Sequence, residues 1–153
     1  MNANRILRCF PLIAGLLLGL LSSSSFAITW DLIGIAPKPI ATGIKEVDLH
    51  QTVAVITVDL LKEITAIHFK ADEKGIAELN GLKSETYSNV AEGWIKVTGW
   101  CYSINSSLGT NYANEAYFTS QQDHLRWFYG YAYFTDGKWV GYCLPWVNKN
   151  SRN

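Results

Sequence analysis

The sequence predicts an α+β domain in which one helix packs on a mostly antiparallel, twisted sheet, with an aromatic C-terminal β-hairpin and one disulfide. Fifteen Trp, Tyr and Phe residues fall within the 54 positions 93–146, and aromatic residues are enriched in strands. Asp136-Gly137 separates two aromatic runs, which is a strong hairpin signal. Apolar residues recur at helical spacing between Thr52 and Ile67 alone, so we expect a single helix.

The first 27 residues predict a secretory signal peptide. Arg5 and Arg8 give a positive start, Cys9–Leu21 is an apolar run of 13, and the segment ends in Ser-Phe-Ala at Ala27. The apolar run is too short for a stable membrane span, although a retained N-terminal anchor is the alternative. We therefore expect cleavage after Ala27 and export to the periplasm or out of the cell.

The remaining 126 residues are enough for one domain with one core. We divide them into an N-terminal strand and linker (28–43), a main domain (44–147) and a tail (148–153). Without Arg5 and Arg8 the chain has 11 Lys and Arg against 13 Asp and Glu, and its basic residues are scattered. This charge distribution excludes nucleic acid as a partner, and nothing after residue 27 predicts a membrane span.

Two cysteines, Cys101 and Cys143, remain after cleavage removes Cys9 with the signal peptide. An even pair in an exported chain predicts a disulfide, and two free buried thiols are the alternative. The bond would close a loop of about 43 residues and stabilise the fold by about 4 kcal/mol in the chain-entropy model. Their spacing does not match a redox Cys-x-x-Cys motif.

The first half of the domain is predicted to hold two strands and the helix. Ile28–Ile35 is the first strand, and Ala36–Gly43 is a loop because it contains two prolines and a glycine. Ile44–Leu49 is the second strand. We place the helix over at least Thr57–Thr65, with Thr52 or Thr57 as its N-cap. β-Branched residues near the start of this segment favour a strand instead.

The second half alternates between short strands and turns. Strands are predicted at Ile76–Leu79, Trp94–Val97, Trp100–Ile104, Ala116–Thr119, Leu125–Phe134 and Trp139–Cys143, and Pro145 ends the last of them. Turns or loops are predicted at Lys70–Lys74, Asn80-Gly81, Ser84–Asn89, Asn105–Asn114 and Asp136-Gly137, with a bulge or bend at Gly99.

Three segments, in order, carry a resemblance to a known family. Thr57–Lys62 (TVDLLK) is similar to the start of a helix in that family, and Gly75–Leu82 (GIAELNGL) is similar to its strand and Asn-Gly-Leu turn. Gly99–Asn105 (GWCYSIN), followed by Tyr117 and Leu125–Tyr129 (LRWFY), is similar to its closing aromatic pattern. Over about residues 44–130 the chain resembles the transcobalamin-like C-terminal domain family, although Ser106 and Gln122 stand where the family has glycine.

The resemblance implies an exported, non-catalytic binding module. Domains of this family close over cobalamin in animal transcobalamin and occur alone in exported bacterial proteins. Cobalamin or another corrinoid is therefore the candidate ligand, and no cofactor is required. Because the family's larger helical domain has no counterpart here, the chain would bind the corrinoid either alone or with a partner protein that completes the site. The alternatives are a cell-envelope protein–protein interaction module (an inhibitor or assembly factor) and a sugar-binding module.

The candidate ligand-binding residues are those where the resemblance coincides with the aromatic runs: Trp100, Tyr102, Asn105, Trp127 and Tyr129. Strand alternation places Leu125, Trp127, Tyr129, Tyr131 and Tyr133 on one face of the long strand. Such rings either pack in a core with their hydroxyls paired or stack on a flat ligand. Asn105, Asn111 and Asn114 have turn formation as the alternative role. Gly130, among bulky neighbours, predicts a bulge or a close backbone approach.

No motif predicts catalysis or a metal site. His50, His68 and His124 lack the spacing of metal ligands, so we expect none. The sequence has no nucleophile elbow and no phosphate-binding loop. A hydrolase is the alternative, since Glu73, Glu78, Glu92 and Glu115 could supply a pair of carboxylates.

Overall fold

The computed structural model describes residues 26–36 and 38–146. It contains one α-helix, α1 (Val53–Glu63), and a short 3₁₀ turn at Ala113–Glu115. The strands are β1 (Phe26–Ile33), β2 (Ala41–Val47), β3 (Phe69–Asp72), β4 (Gly75–Leu79), β5 (Leu82–Lys83), β6 (Glu85–Ala91), β7 (Trp94–Ile104), β8 (Ser107–Leu108), β9 (His124–Thr135) and β10 (Lys138–Pro145).

The main sheet has the strand order β2-β1-β9-β7-β6, with β10 beside β9 and β8 beside β7. Strands β3, β4 and β5 form a second, smaller antiparallel sheet. Within the described ranges, β1 and β9 form the sole parallel pair, and every other strand pair is antiparallel. This arrangement confirms the predicted α+β class with a mostly antiparallel sheet and an aromatic C-terminal hairpin.

The first of the two predicted N-caps is confirmed. Thr52 is the N-cap, and its hydroxyl accepts the Val55 N–H at 3.4 Å. The helix ends at Glu63, so the predicted Thr65 lies outside it. Val53 and Ile56, two of the β-branched residues that favoured a strand, are fully buried against the core. Burial of this apolar stripe outweighs their weak helix propensity.

Three segments predicted as loops or turns are strands. Residues 41–43 belong to β2, where a Cβ on Gly43 would lie 2.8 Å from the Trp30 ring. Lys70–Asp72 belongs to β3, and Lys70 pairs with Glu78 of β4 at 2.7 Å. Residues 85–89 belong to β6, which pairs with β7. In each case the strand next to it along the chain supplies backbone hydrogen bonds that the polar local sequence does not predict.

Strand β7 is continuous, so the bulge predicted at Gly99 is wrong. Gly99 lies opposite Gly130 in regular register, and a Cβ at Gly99 would meet the Ser84 hydroxyl at 2.8 Å. The strand predicted at Ala116–Thr119 is also wrong, since a single bridge from Tyr117 to Thr52 forms there. The predicted loop 105–114 contains β8.

Both predicted Asn-Gly and Asp-Gly turns are confirmed. Asn80 and Gly81 have φ of 49° and 81°, and Asp136 and Gly137 have φ of 50° and 71°. Positive φ at both central residues is what a tight two-residue hairpin requires, and these residue types tolerate it best.

The first 25 residues, most of the predicted signal peptide, and the predicted tail 148–153 lie outside the described residues. Phe26 and Ala27, which the prediction assigned to the signal peptide, start β1 and pair with Val47 and Glu46 of β2. The single helix of the described residues is too short to cross a membrane.

Candidate functional site

A cavity of about 320 Å³ opens at one edge of β7. On this side of β7, pairing with β6 stops at Thr98 and pairing with β8 starts at Ser103. The stretch between them faces the β3–β4 turn, the loop after β8 and the middle of β10. We call this space the β7 cavity; residues that line it include Asp72, Lys74, Trp100, Tyr102, Tyr112 and Tyr142.

Trp100 and Tyr102 form one wall of the β7 cavity, and both have their polar atoms paired. The indole N–H of Trp100 donates to the Leu82 carbonyl oxygen at 2.9 Å. The Tyr102 hydroxyl donates to the Asn111 carbonyl oxygen at 3.0 Å. Burial, and secondarily the charge of Glu115, raises the pKa of Tyr102. The wall is therefore a neutral aromatic surface with fixed ring orientations.

Trp127 lies at the base of the β7 cavity and in the core at once. It is 2% exposed, and its indole N–H donates to the Thr57 hydroxyl of α1 at 3.0 Å. Its ring packs on Tyr102 with centroids 5.2 Å apart. Gly75, with φ of 128°, lies against the ring so closely that a Cβ there would be 2.4 Å away. Trp127 therefore joins the helix, β4 and the cavity.

The structure does not bring the other two candidate residues into the β7 cavity. Tyr129 is buried, and its hydroxyl donates to the Lys83 carbonyl oxygen at 2.7 Å and also hydrogen-bonds the Thr98 hydroxyl at 2.9 Å. Asn105 has φ of 52° and occupies the turn between β7 and β8. Its side chain bonds Asp123 at 2.6 Å and accepts the His124 N–H at 2.8 Å. Both residues hold the scaffold together.

The carboxylate of Asp123, 2% exposed, organises the turn before β9. It accepts the N–H groups of Thr119 at 2.8 Å and Ser120 at 3.0 Å, besides the Asn105 amide. Burial acts to raise the pKa of Asp123, but these hydrogen bonds together outweigh burial, and the pKa falls below its ordinary value of 3.8.

We expect Asp123→Ala to lower the free energy of unfolding by about 2–3 kcal/mol, since it leaves buried N–H donors without an acceptor. Because the folded-state pKa is depressed, the stabilisation by ionised Asp123 is complete above about pH 4 and is lost as the pH falls through the folded pKa. Urea unfolding between neutral and acidic pH measures both effects. Asp123→Asn, which does not titrate, should flatten this part of the pH profile; an unchanged profile would contradict the assignment.

Sequence reasoning missed two tyrosines of the β7 cavity. Tyr112 and Tyr142 are 57% and 54% exposed, and both line the cavity. Lys74 Nζ lies 5.6 Å from the centre of the Tyr112 ring, a cation–π distance. Tyr142 belongs to the aromatic hairpin and adjoins Cys143, which was the available signal. Its position at β7 depends on an irregularity in β10.

That irregularity is a large β-bulge, and the disulfide holds it in place. Between Val140 and Leu144, β10 advances four residues while β9 advances two. Cys143, with φ of 52°, bonds to Cys101 of β7, with a Cα–Cα distance of 6.0 Å, so the bridge crosses over β9. A Cβ on Gly130 would lie 2.9 Å from the Leu144 carbonyl oxygen. The predicted disulfide and the close approach at Gly130 are both confirmed.

The far end of the same aromatic face surrounds Lys96. Its ammonium lies 3.7 Å from the centre of the Trp146 ring and 4.9 Å from that of Tyr131, and burial lowers its pKa. Tyr133 contacts Tyr131 and Trp94 edge to face. The predicted row of rings along β9 is therefore divided, with its first members in the core and its last members around a lysine.

Within residues 26–36 and 38–146, no three His, Cys, Asp or Glu side chains come close enough together to hold a metal ion. His124 Nδ1 is 2.8 Å from the Thr29 hydroxyl, and its Nε2 is 3.5 Å from Asp31. These contacts tie β9 to β1.

No protein-family model matches this chain, and no curated protein sequence matches it. Among solved structures, a "putative metal binding protein" from Ruminococcus gnavus ATCC 29149 aligns with 68% of this chain and 95% of its own length, at 12% identity and a TM-score of 0.37. At that TM-score the likeness carries no inference about fold, ligand or activity.

Proposed function

We propose that this protein is an exported, non-catalytic binding module whose ligand site is the β7 cavity. The observation that carries the proposal is the convergence of Trp100, Tyr102 and Trp127, three of the sequence-derived candidates, on one cavity with Tyr112 and Tyr142. An aromatic cavity with a few polar groups at its edge is typical of a small-molecule site. Here Asp72, Lys74 and Asn111 supply those groups.

The candidate ligand is a corrinoid, as the family resemblance implies. A cavity of about 320 Å³ is at the lower end of the usual range for ligand pockets. It would accept one edge of a corrin, with the exposed rings of Tyr112 and Tyr142 against the flat face. A partner protein covering the other face would complete the burial on which affinity depends.

Export is supported by two features. The N-terminal segment has the charge and apolar pattern of a signal peptide. The disulfide between Cys101 and Cys143 belongs to an oxidising compartment, as in the periplasm or outside the cell.

A second candidate function is protein binding through β10. Trp139, Val140, Tyr142 and Leu144 are each between 39% and 54% exposed, and they follow one another along a strand that pairs with β9. Aromatic side chains are enriched in the cores of protein interfaces, and exposed apolar strands at a sheet edge are natural pairing sites. An envelope protein is the partner that this surface would take.

Three tyrosine-to-alanine variants test the corrinoid proposal. Tyr112→Ala and Tyr142→Ala remove exposed rings from the β7 cavity, and Tyr117→Ala removes a ring of similar exposure elsewhere. Titration of the full chain with cyanocobalamin and hydroxocobalamin, followed by tryptophan fluorescence and the corrin spectrum, should give saturable binding. Each cavity variant should weaken it roughly tenfold, the effect of losing about 1.4 kcal/mol. Tyr117→Ala should bind like the natural protein.

Absence of saturable binding up to high micromolar concentration would contradict autonomous corrinoid binding. Equal affinity of all three variants would instead remove the β7 cavity as the site. Trp139→Ala distinguishes the second function, because it alters the exposed surface of β10 without touching the β7 cavity. The natural protein and both variants can be compared for capture of an envelope protein. If Trp139→Ala no longer captures that protein and Tyr112→Ala still does, binding through β10 is favoured.

A further inference from the structure

A second cavity, of about 390 Å³, lies where two strands end along the same edge of β9. The last parallel pair of β1 joins Ile33 to Phe128, and the last antiparallel pair of β10 joins Pro145 to Gly130. Tyr129 falls between them, and its carbonyl oxygen accepts the Trp146 N–H at 2.9 Å. We call this gap the β9 notch.

The walls of the β9 notch are largely apolar. Ile33, Leu108, Phe128, Pro145 and Trp146 line it, and Phe128 is 6% exposed. Phe128 lies on the same face of β9 as Arg126. The Trp146 ring packs on Tyr131 and Lys96 at the opposite face, so Phe128, Leu108 and Pro145 form the apolar surface nearest Arg126. Burial of apolar and aromatic surface on these walls would supply most of the binding energy.

The polar groups of the β9 notch come from Ser103, Ser106 and Arg126. Asp31, which is 8% exposed, accepts hydrogen bonds from Arg126 Nε at 3.0 Å and Nη2 at 2.8 Å. This two-point contact fixes the guanidinium in one orientation. Arginine has five N–H donors in a planar fork, so the Nη1 group retains two for another acceptor. The side chain of Arg126 is 44% exposed, which leaves this donor edge accessible.

We propose that the β9 notch binds a flat, largely apolar molecule carrying one acidic group. The acid accepts hydrogen bonds from Arg126 Nη1, and the apolar body packs against Phe128, Leu108 and Pro145. Asp31 is a positioning residue, since it holds the guanidinium in place without reaching the ligand. This site is separate from the β7 cavity and shares no lining residue with it.

A matched pair of dyes tests this proposal on the full chain. 1-Anilinonaphthalene-8-sulfonate has a fused aromatic body and one acidic group, and N-phenyl-1-naphthylamine is its counterpart without the acid. Both should bind with enhanced fluorescence, the sulfonate more tightly. Arg126→Lys keeps a positive charge opposite Asp31 but removes the planar fork. It should weaken the sulfonate roughly tenfold, as expected for one charge-assisted hydrogen bond, and leave the neutral dye unchanged.

Leu108→Trp places a larger side chain in the β9 notch and should weaken both dyes. Tyr112→Ala and Trp139→Ala, which alter the β7 cavity and the β10 surface, should leave both dye affinities unchanged. Circular dichroism melts verify that each variant is folded. The proposal is overturned if neither dye binds saturably, if Arg126→Lys does not alter the preference for the sulfonate, or if Tyr112→Ala or Trp139→Ala abolishes dye binding while Leu108→Trp does not.

Discussion

Trp127→Ala is expected to lower the free energy of unfolding by about 3–5 kcal/mol, the usual cost of removing a buried tryptophan. The ring fills the space between Gly75 and Tyr102, and its N–H bonds the Thr57 hydroxyl at 3.0 Å. Loss of the ring would leave a void among α1, β4 and β7 and an unpaired hydroxyl in the core. Since small domains have a net stability of about 5–15 kcal/mol, this single change should remove a large share of it.

Urea unfolding followed by far-UV circular dichroism measures this effect without depending on tryptophan fluorescence. Trp127→Phe is the matched control, because it keeps much of the ring volume and loses the N–H; its cost should be clearly smaller. Thr57→Val removes the hydroxyl partner while retaining a side chain of similar shape. If Trp127→Ala unfolded at the same urea concentration as the natural protein, the assignment of Trp127 to the core would be wrong.

Removing the disulfide by the double substitution Cys101→Ala and Cys143→Ala is expected to cost about 4 kcal/mol, the loop-closure value for a bond spanning 42 positions. A second consequence should appear at the β7 cavity. Cys101 and Cys143 both line it, and the bridge holds the bulge that presents Tyr142. We therefore expect corrinoid binding to weaken in the double variant under conditions where the variant remains folded.

The natural protein treated with a thiol reductant supplies the comparison for this prediction. Its unfolding midpoint should shift toward that of the double variant, and the reductant should not change the double variant itself. Single substitution of either cysteine should give nearly the same stability as the double change, because either one breaks the bond. A double variant as stable as the oxidised protein would show that β10 is held by its pairing with β9 alone.

Local signals in the sequence predicted the features that depend on a few neighbouring residues. Asn80-Gly81 and Asp136-Gly137 specify tight turns because their backbone tolerates positive φ. The helix was found from the spacing of Val53, Ile56 and Leu60. Of the two predicted caps, Thr52 and Thr57, the structure selects Thr52. The β-branched side chains that follow Thr52 favour a strand by propensity, but the core that buries them stabilises the helix.

Strands with polar or mixed sequences were missed for a different reason. Glu85–Ala91 and Phe69–Asp72 form strands because β7 and β4 offer edges for backbone hydrogen bonds. These partners follow directly in the chain, but pairing uses backbone groups and so leaves little trace in the side-chain composition. The prediction of a bulge at Gly99 is wrong for another reason. This glycine makes room for Ser84 on a neighbouring segment, a contact that arises only in the folded chain.

For the candidate site, residue type alone could not separate ligand-facing rings from scaffold residues. Tyr129 and Trp100 lie opposite each other in adjacent strands, yet the Trp100 ring borders the β7 cavity and the Tyr129 hydroxyl is bonded to Lys83. Asn105 was chosen by resemblance, but its side chain holds Asp123 and His124 in the turn. Hydrogen-bond partners across the fold assign these roles.

The sequence by itself determined the α+β class, the two tight turns, the cysteine pair and the concentration of aromatic residues in the last third of the chain. Only the tertiary structure decided that β1 runs parallel to β9, that β10 bulges across Gly130, and that Tyr112 and Tyr142 meet Trp100 at one cavity. The reason is physical. Turn geometry and alternation depend on adjacent residues, whereas strand pairing and cavity shape depend on which distant surfaces are buried together.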